Sequence, residues 1–201
     1  MVYIKPKQQK TRELELLHSF KDSGFFDKYI DKNKKNHIFI EEPYTGFGYP
    51  DLVFLKWNEK IDKSWSEERN MLTIDDIKVL QHIYNSETGK STHIISKELG
   101  FSDRQLNSIF NRLCSAKIMT EDNSTWKLRN MKDVFFLENI VTIEAKLKNW
   151  KSALAQAVNS EHFSSEVFAL YPDNIITENM INSHLCTSVG IISYGENYKV
   201  V

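Results

Sequence analysis

A glutamate and a lysine two positions apart in an apolar run, Ile143-Glu144-Ala145-Lys146, are the side chains best suited to do chemistry. On a strand, side chains alternate with period two, so Glu144 and Lys146 project to one face and Ile143, Ala145 and Leu147 to the other. A buried acid and a buried lysine need partners. Asp51, opening the run Pro50-Asp-Leu-Val-Phe-Leu-Lys-Trp57, can supply a second carboxylate. Two carboxylates that converge repel each other and gain most from a hard divalent cation such as Mg2+, with Mn2+ as a substitute. A lysine beside them can orient a water or offset charge developing on a phosphate. These residue types suit metal-assisted hydrolysis of a phosphodiester. The competing reading is an inert ion pair of Lys146 with Glu144 or Asp51.

The elements that must position these residues follow from periodicity. Residues 11–30 place Leu14, Leu17 and His18, then Phe25 and Phe26, at helical intervals, with Gly24 as the stop. Residues 37–44 read as a strand ended by Pro43, and Pro50–Trp57 reads as its antiparallel hairpin partner across a glycine-bearing connection. Residues 58–70 are polar and read as a linker. From Thr73 the period is helical: Thr73 caps a first helix with Asp76 three residues on, Gly100 closes a second, and a third begins near Ser102. Residues 118–128 resemble a small hairpin with Asp122-Asn-Ser at its tip. Strand, helix, strand, helix and strand then follow from residue 139, ending in a short tail. Trp150 and the Phe135-Phe136-Leu137 run read as core, His82 as a core edge and His93 as surface.

Composition bounds the possibilities. The 201 residues carry 26 Lys+Arg against 27 Asp+Glu, a net charge of −1, which excludes gripping polyanions by bulk charge. A local basic bias exists over residues 1–36, where Lys5, Lys7, Lys10, Arg12, Lys21, Lys28, Lys32, Lys34 and Lys35 outnumber the acids. That bias suits either an anionic partner or a solvated helix face. No apolar run is long enough for a bilayer, and none follows the N-terminal lysines as in a signal peptide, so no membrane is expected. Cys114 and Cys186 stand apart with no ligand spacing, which argues for a reducing cytoplasm and against disulfides or zinc. Nothing in the chain points to an organic cofactor.

Gly48-Tyr49-Pro50-Asp51 before an apolar strand, with Glu144-Ala145-Lys146 on another, resembles the PD-(D/E)xK nuclease superfamily. The resemblance implies an α/β fold with a restriction-endonuclease-like αβββαβ core. Residues 1–70 and 132–201 would form that core, and residues 71–131 an insert between its second and third strands. It further implies Asp51 and Glu144 as metal ligands and Lys146 as the catalytic lysine. An additional acid would come from the first helix, as Glu13 or Glu15, and Glu42 could also join the site. Gln156 fits the glutamine that some branches place on the helix after the E-x-K strand, although Ser160 stands where those branches have tyrosine.

The insert, three helices and a hairpin, resembles a winged helix-turn-helix on the stretch Ile94-Ile-Ser-Lys-Glu-Leu-Gly-Phe-Ser-Asp-Arg-Gln-Leu. In DNA-binding members the third helix enters the major groove with its N-terminal polar residues at base edges. Here those would be Ser102, Arg104, Gln105, Asn107 and Ser108, with Arg112, Lys127 and Arg129 nearer phosphates. The alternative is a winged helix that contacts protein. The expected function is a Mg2+-dependent DNA endonuclease whose winged helix positions the duplex, with Gln156 orienting a phosphate or water. The sequence leaves the oligomeric state open; cutting both strands of a duplex often needs two sites, which a homodimer would supply. The alternative is a DNA-binding regulator or assembly subunit with a non-catalytic nuclease-like fold.

Overall fold

The computed structural model describes residues 12–31, 33–86 and 89–201. Of the basic N-terminal run, Lys5, Lys7, Lys10 and Lys32 lie outside these residues. In chain order the elements are helix α1 (Arg12–Lys21), a 3-10 turn (Phe25–Lys28), strands β1 (His37–Glu41) and β2 (Leu52–Trp57), helices α2 (Glu59–Lys63), α3 (Glu67–Asn70) and α4 (Ile74–Tyr84) and strand β3 (Lys90–Ser91). Helices α5 (Thr92–Leu99) and α6 (Asp103–Ser115), strands β4 (Met119–Asp122) and β5 (Thr125–Leu128) and helix α7 (Met131–Val134) follow. Strand β6 (Leu137–Ala145), helix α8 (Trp150–Ser160), strand β7 (Glu166–Pro172), a 3-10 turn (Asp173–Ile175), helix α9 (Glu178–His184) and strands β8 (Val189–Tyr194) and β9 (Tyr198–Val200) complete the chain. The protein is mixed α/β, in two compact units: Met1–Trp57 with Leu137–Val201, and Asn58–Phe136. Among the described residues no helix is long and apolar enough to cross a membrane.

The first unit is a mixed sheet in the order β1-β2-β6-β7-β8-β9. β2 runs antiparallel to both of its neighbours, β1 and β6; β6, β7 and β8 run parallel, and β9 returns antiparallel. The parallel pairs need crossovers, and α8 and α9 supply them. Helix α1 forms because Leu14, Leu17 and Phe20 recur on one face, with Glu13 and Glu15 in the first turn and His18 and Lys21 in the last, matching the helix dipole. Gly24 then turns at a left-handed φ of 83° and sends Phe25 and Phe26 into the core. That core packs Val141, Ile143 and Ala145 of β6 with Leu52 and Phe54 of β2. On the opposite sheet face Ala153 and Ala157 of α8 pack with Ala169 and Tyr171 of β7. Strand β7 is thus buried on both faces and reads as an unbroken apolar run.

The second unit packs around Val79, Ile83, Ile95, Leu106, Phe110 and Leu113. Thr73 and Asp76 form a reciprocal capping box at α4, as do Ser102 and Gln105 at α6, and Gly100 closes α5 at φ 75°. Strands β3, β5 and β4 form a small antiparallel sheet. Trp126 of β5 stacks on Phe110 at 4.1 Å and donates to Thr92 Oγ1 at 2.9 Å.

Three expectations are corrected. Residues 58–70 are not a linker: they form α2 and α3, with Ile61 buried. Arg69 donates to the carbonyls of Ala116, Asp133 and Val134 at 3.0–3.2 Å. The short tail expected after the last long strand instead carries a further strand, β9, over residues 198–200. Phe135 and Leu137 are exposed rather than core. Leu137 opens β6, and β7 pairs with β6 only from Val141 onward, leaving the first residues of β6 without that neighbour.

Candidate active site

Asp51 immediately precedes β2, where the β1–β2 hairpin closes with the Glu42 amide donating to the Asp51 carbonyl at 3.2 Å. In the β2–β6 register Leu52 lies opposite Ile143, so Ala145 has passed the end of its antiparallel neighbour. The Asp51 side chain fills that gap: its Oδ2 accepts the Ala145 amide at 2.8 Å. A carboxylate therefore completes the backbone pairing of the strand that carries Glu144.

Lys146 sits one residue past β6, and its amide still donates to Leu170 O at 3.1 Å, which holds the chain on the sheet. Its Nζ lies 3.6 Å from Asp51 Oδ2 and 3.4 Å from Glu13 Oε2, and donates to Ala145 O at 3.0 Å. Glu144 is buried, 3% exposed. Burial, then repulsion and a hydrogen bond with Asp51, push its carboxyl up to about 9 against the opposing pull of Lys146. Burial acts to lower the Lys146 ammonium, but Asp51, Glu13 and Glu144 outweigh it and hold the pKa above its ordinary value. At neutral pH, then, Glu144 keeps its proton and Lys146 its charge.

Asp51, Glu144 and Lys146 thus come together. From α1 it is Glu13, not Glu15, that reaches the cluster. Residues two apart on a helix point to different sides, and Glu15 is exposed. Glu42 meets Asp51 through its backbone, at a left-handed φ of 47°, and its side chain makes none of the cluster's bonds. Gln156 is exposed on α8, whose buried stripe is Ala153, Ala157 and Ser160. Tyr171 was not singled out by its sequence. Glu144 pairs with Ala169, so Tyr171 lies two residues on along the same face. Its hydroxyl donates to Trp150 O at 3.2 Å, and burial and the nearby Glu144 raise its pKa.

The donors around Asp51 and Glu144 are carboxylate oxygens, the kind a hard cation takes. Among the described residues no three His, Cys, Asp or Glu side chains form a ready-made metal cluster. A pair of carboxylates is nonetheless what Mg2+ commonly uses, with waters and substrate phosphate filling its other positions. The residues present fit such an ion.

In the second unit the residues expected at DNA divide into two groups. Asp76 is fully buried, and Arg112 grips it through Nε at 3.0 Å and 3.1 Å and Nη2 at 2.8 Å, while Nη1 donates to Ser108 Oγ at 2.7 Å. Arg112 and Ser108 are thereby tied into the fold. Lys127 pairs with Asp122 at 2.7 Å, Arg129 donates to Lys117 O at 3.4 Å, and the Gln105 amide oxygen caps Ser102. Arg104 and Asn107 stand exposed on α6. His82 is bound to Glu98 at 2.7 Å together with Lys90, and His93 is exposed.

No family model, curated protein or solved structure matches this chain.

Proposed function

We propose that the protein is a Mg2+-dependent endonuclease acting on DNA phosphodiesters. Its first unit would be a restriction-endonuclease-like core, and its second a winged helix-turn-helix that positions the duplex. The observation that carries this reading is the convergence of Asp51, Glu144, Lys146 and Glu13 at one end of β6. The succession α1, β1, β2, β6, α8, β7, with antiparallel pairing giving way to parallel, supports the core assignment.

Asp51 and Glu144 would hold the ion. When bound, it supplies Lewis-acid polarisation of the phosphate and a more acidic attacking water. As a ligand Glu144 would be deprotonated, and the buried negative charge it would then carry is one that a divalent cation would offset. Asp51 is oriented beforehand by the Ala145 amide. Lys146 keeps its ammonium beside both carboxylates and faces charge that grows on the phosphate oxygens. Glu13 steadies that ammonium from α1. Gln156, exposed on α8, is free to meet a phosphate or water. Arg104 and Asn107 are the residues of α6 with side chains free to meet base edges. Two copies, one per strand, would complete a double-strand cut.

Purified protein with Mg2+ or Mn2+ is expected to nick or cut DNA. Lys146→Ala and Asp51→Ala should each lower the rate by about 100-fold or more while the chain still folds, as circular dichroism would show. Equal cutting by these variants would sink the assignment. A second reading, a DNA-binding protein with an inert nuclease-like fold, draws on Lys146 being shared among Glu13, Asp51 and the Ala145 carbonyl, a self-neutralised ion cluster. Band shifts in EDTA without cleavage by any divalent metal would select it.

A further inference from the structure

We propose that the loop between β1 and β2 is a stacking platform for unpaired bases, so that the preferred substrate carries single-stranded nucleotides beside the scissile phosphate. The inference rests on the nuclease reading and names the substrate class of the same site. The loop holds three aromatic side chains that stay more than half exposed: Tyr44 at 58%, Phe47 at 52% and Tyr49 at 59%. Single exposed apolar residues need no explanation, but three large rings on one short surface loop mark a binding feature.

The loop is closed by its own hydrogen bonds. Thr45 donates through its amide and Oγ1 to Gly48 O at 3.0 Å and 3.1 Å, and the Phe47 amide donates to Thr45 Oγ1 at 3.3 Å. Gly46 at φ 85° and Gly48 at φ 144° supply turns that side chains with a Cβ adopt poorly. The Phe47 ring lies parallel to Phe163 at 6.1 Å and near His162 at 5.1 Å, just beyond α8, and so pins the loop tip. Tyr44 and Tyr49 pair with each other at 5.2 Å, ring planes 42° apart, and keep their outer surfaces open.

The pair sits close to the chemistry. Two peptide steps separate Tyr49 from Asp51, so their Cα atoms are within about 7.6 Å of each other. Lys148 and Lys151 follow Lys146 directly and are exposed, where they can track a phosphate backbone. Bases in a duplex are stacked on their neighbours and offer only their edges, whereas an unpaired base offers a whole ring face. Stacking on an aromatic side chain tightens binding by about 5- to 150-fold per base with little regard for sequence. Paired, exposed tyrosines beside a hydrolytic carboxylate therefore favour single strands, flaps or branch points over an intact duplex.

The test measures binding of the full chain in EDTA, by fluorescence anisotropy, to a labelled single strand of about 20 nucleotides and to the blunt duplex of the same sequence. The wild-type protein should prefer the single strand. Joint Tyr44→Leu and Tyr49→Leu substitution should weaken single-strand binding at least about 5-fold and leave duplex affinity within about twofold. Joint Tyr44→Phe and Tyr49→Phe substitution, which keeps both rings, should bind as wild type does. Should the double leucine variant not fold, Tyr49→Leu alone carries the comparison. No preference in the wild-type protein, or unchanged single-strand affinity in the leucine variant, overturns the platform. Binding with stacking but no cleavage under any metal sinks the nuclease reading and leaves the platform standing. Efficient cutting of blunt duplex with no loss in the leucine variant does the reverse.

Discussion

Glu144 concentrates the energetics of the site. It is an acid in a nearly dry position, facing Asp51, with Lys146 as its partial remedy. Its carboxyl titrates near 9 in the folded chain and near its ordinary 4.5 when unfolded. Between those values the folded state holds a proton that the unfolded state has released. The stabilising contribution is therefore complete below about pH 4.5 and is lost as pH rises through about 9. In EDTA, denaturant melts should show stability falling over this window, and Glu144→Gln, which cannot ionise, should flatten the fall. An unchanged slope in that variant would show that Glu144 is ionised throughout. At the residue scale, strand alternation put Glu144 and Lys146 on one face, and Asp51 was the carboxylate another strand could offer them. Glu13 and Glu15 were left open, because helical phase at a terminus depends on where α1 docks.

At the scale of elements, the lesson lies in α6 and in residues 58–70. The capping residues Thr73 and Asp76 and the closing Gly100 are local signals and legible in sequence, because each acts within one turn of its own helix. Arg112 looked equally available to a phosphate. Its bond to Asp76, on α4, is a tertiary event with no local signature. Asp76 serves twice, as the capping acid of α4 and as the buried anchor for α6. Asp76→Ala should destabilise the inserted unit by about 3 kcal/mol, the low end for a broken buried pair because the Arg112 side chain is 34% exposed. A urea melt followed by tryptophan fluorescence in a chain that keeps Trp126 alone checks this, and a loss under about 1 kcal/mol would mean the pair is idle. Helices α2 and α3 escaped notice for the same reason as Arg112. Arg69 is useful only because the carbonyls at 116, 133 and 134 gather around it.

For the whole molecule, two units with separate apolar cores should not melt as one. The sheet unit is built on Phe20, Phe25, Phe54 and Ile143, and the inserted unit on Val79, Leu106, Phe110 and Leu113. Calorimetry of the full chain should resolve more than one transition, and Asp76→Ala should lower only one of them. A single transition that shifts as a whole would show strong coupling between the units. The order of strands in the sheet also belongs to this scale. It places β6 between β2 and β7, so that β6 is flanked by an antiparallel neighbour on one side and a parallel one on the other. The antiparallel neighbour pairs with β6 as far as Ile143 and the parallel one as far as Ala145, two residues on, and the cluster occupies that step.

The sequence by itself determined the local facts: periodicity, caps, turns, and the hairpin that carries Asp51. Such features depend on residues within a few positions of one another, and their physics is complete at that range. Tertiary structure alone decided which acid of α1 meets Lys146, that Arg112 belongs to Asp76, that Tyr171 lies along the face of Glu144, and that the β1–β2 loop lifts two tyrosines into solvent. Each of those outcomes depends on groups tens of residues apart being brought within a few ångströms, and on how completely water is then excluded from between them.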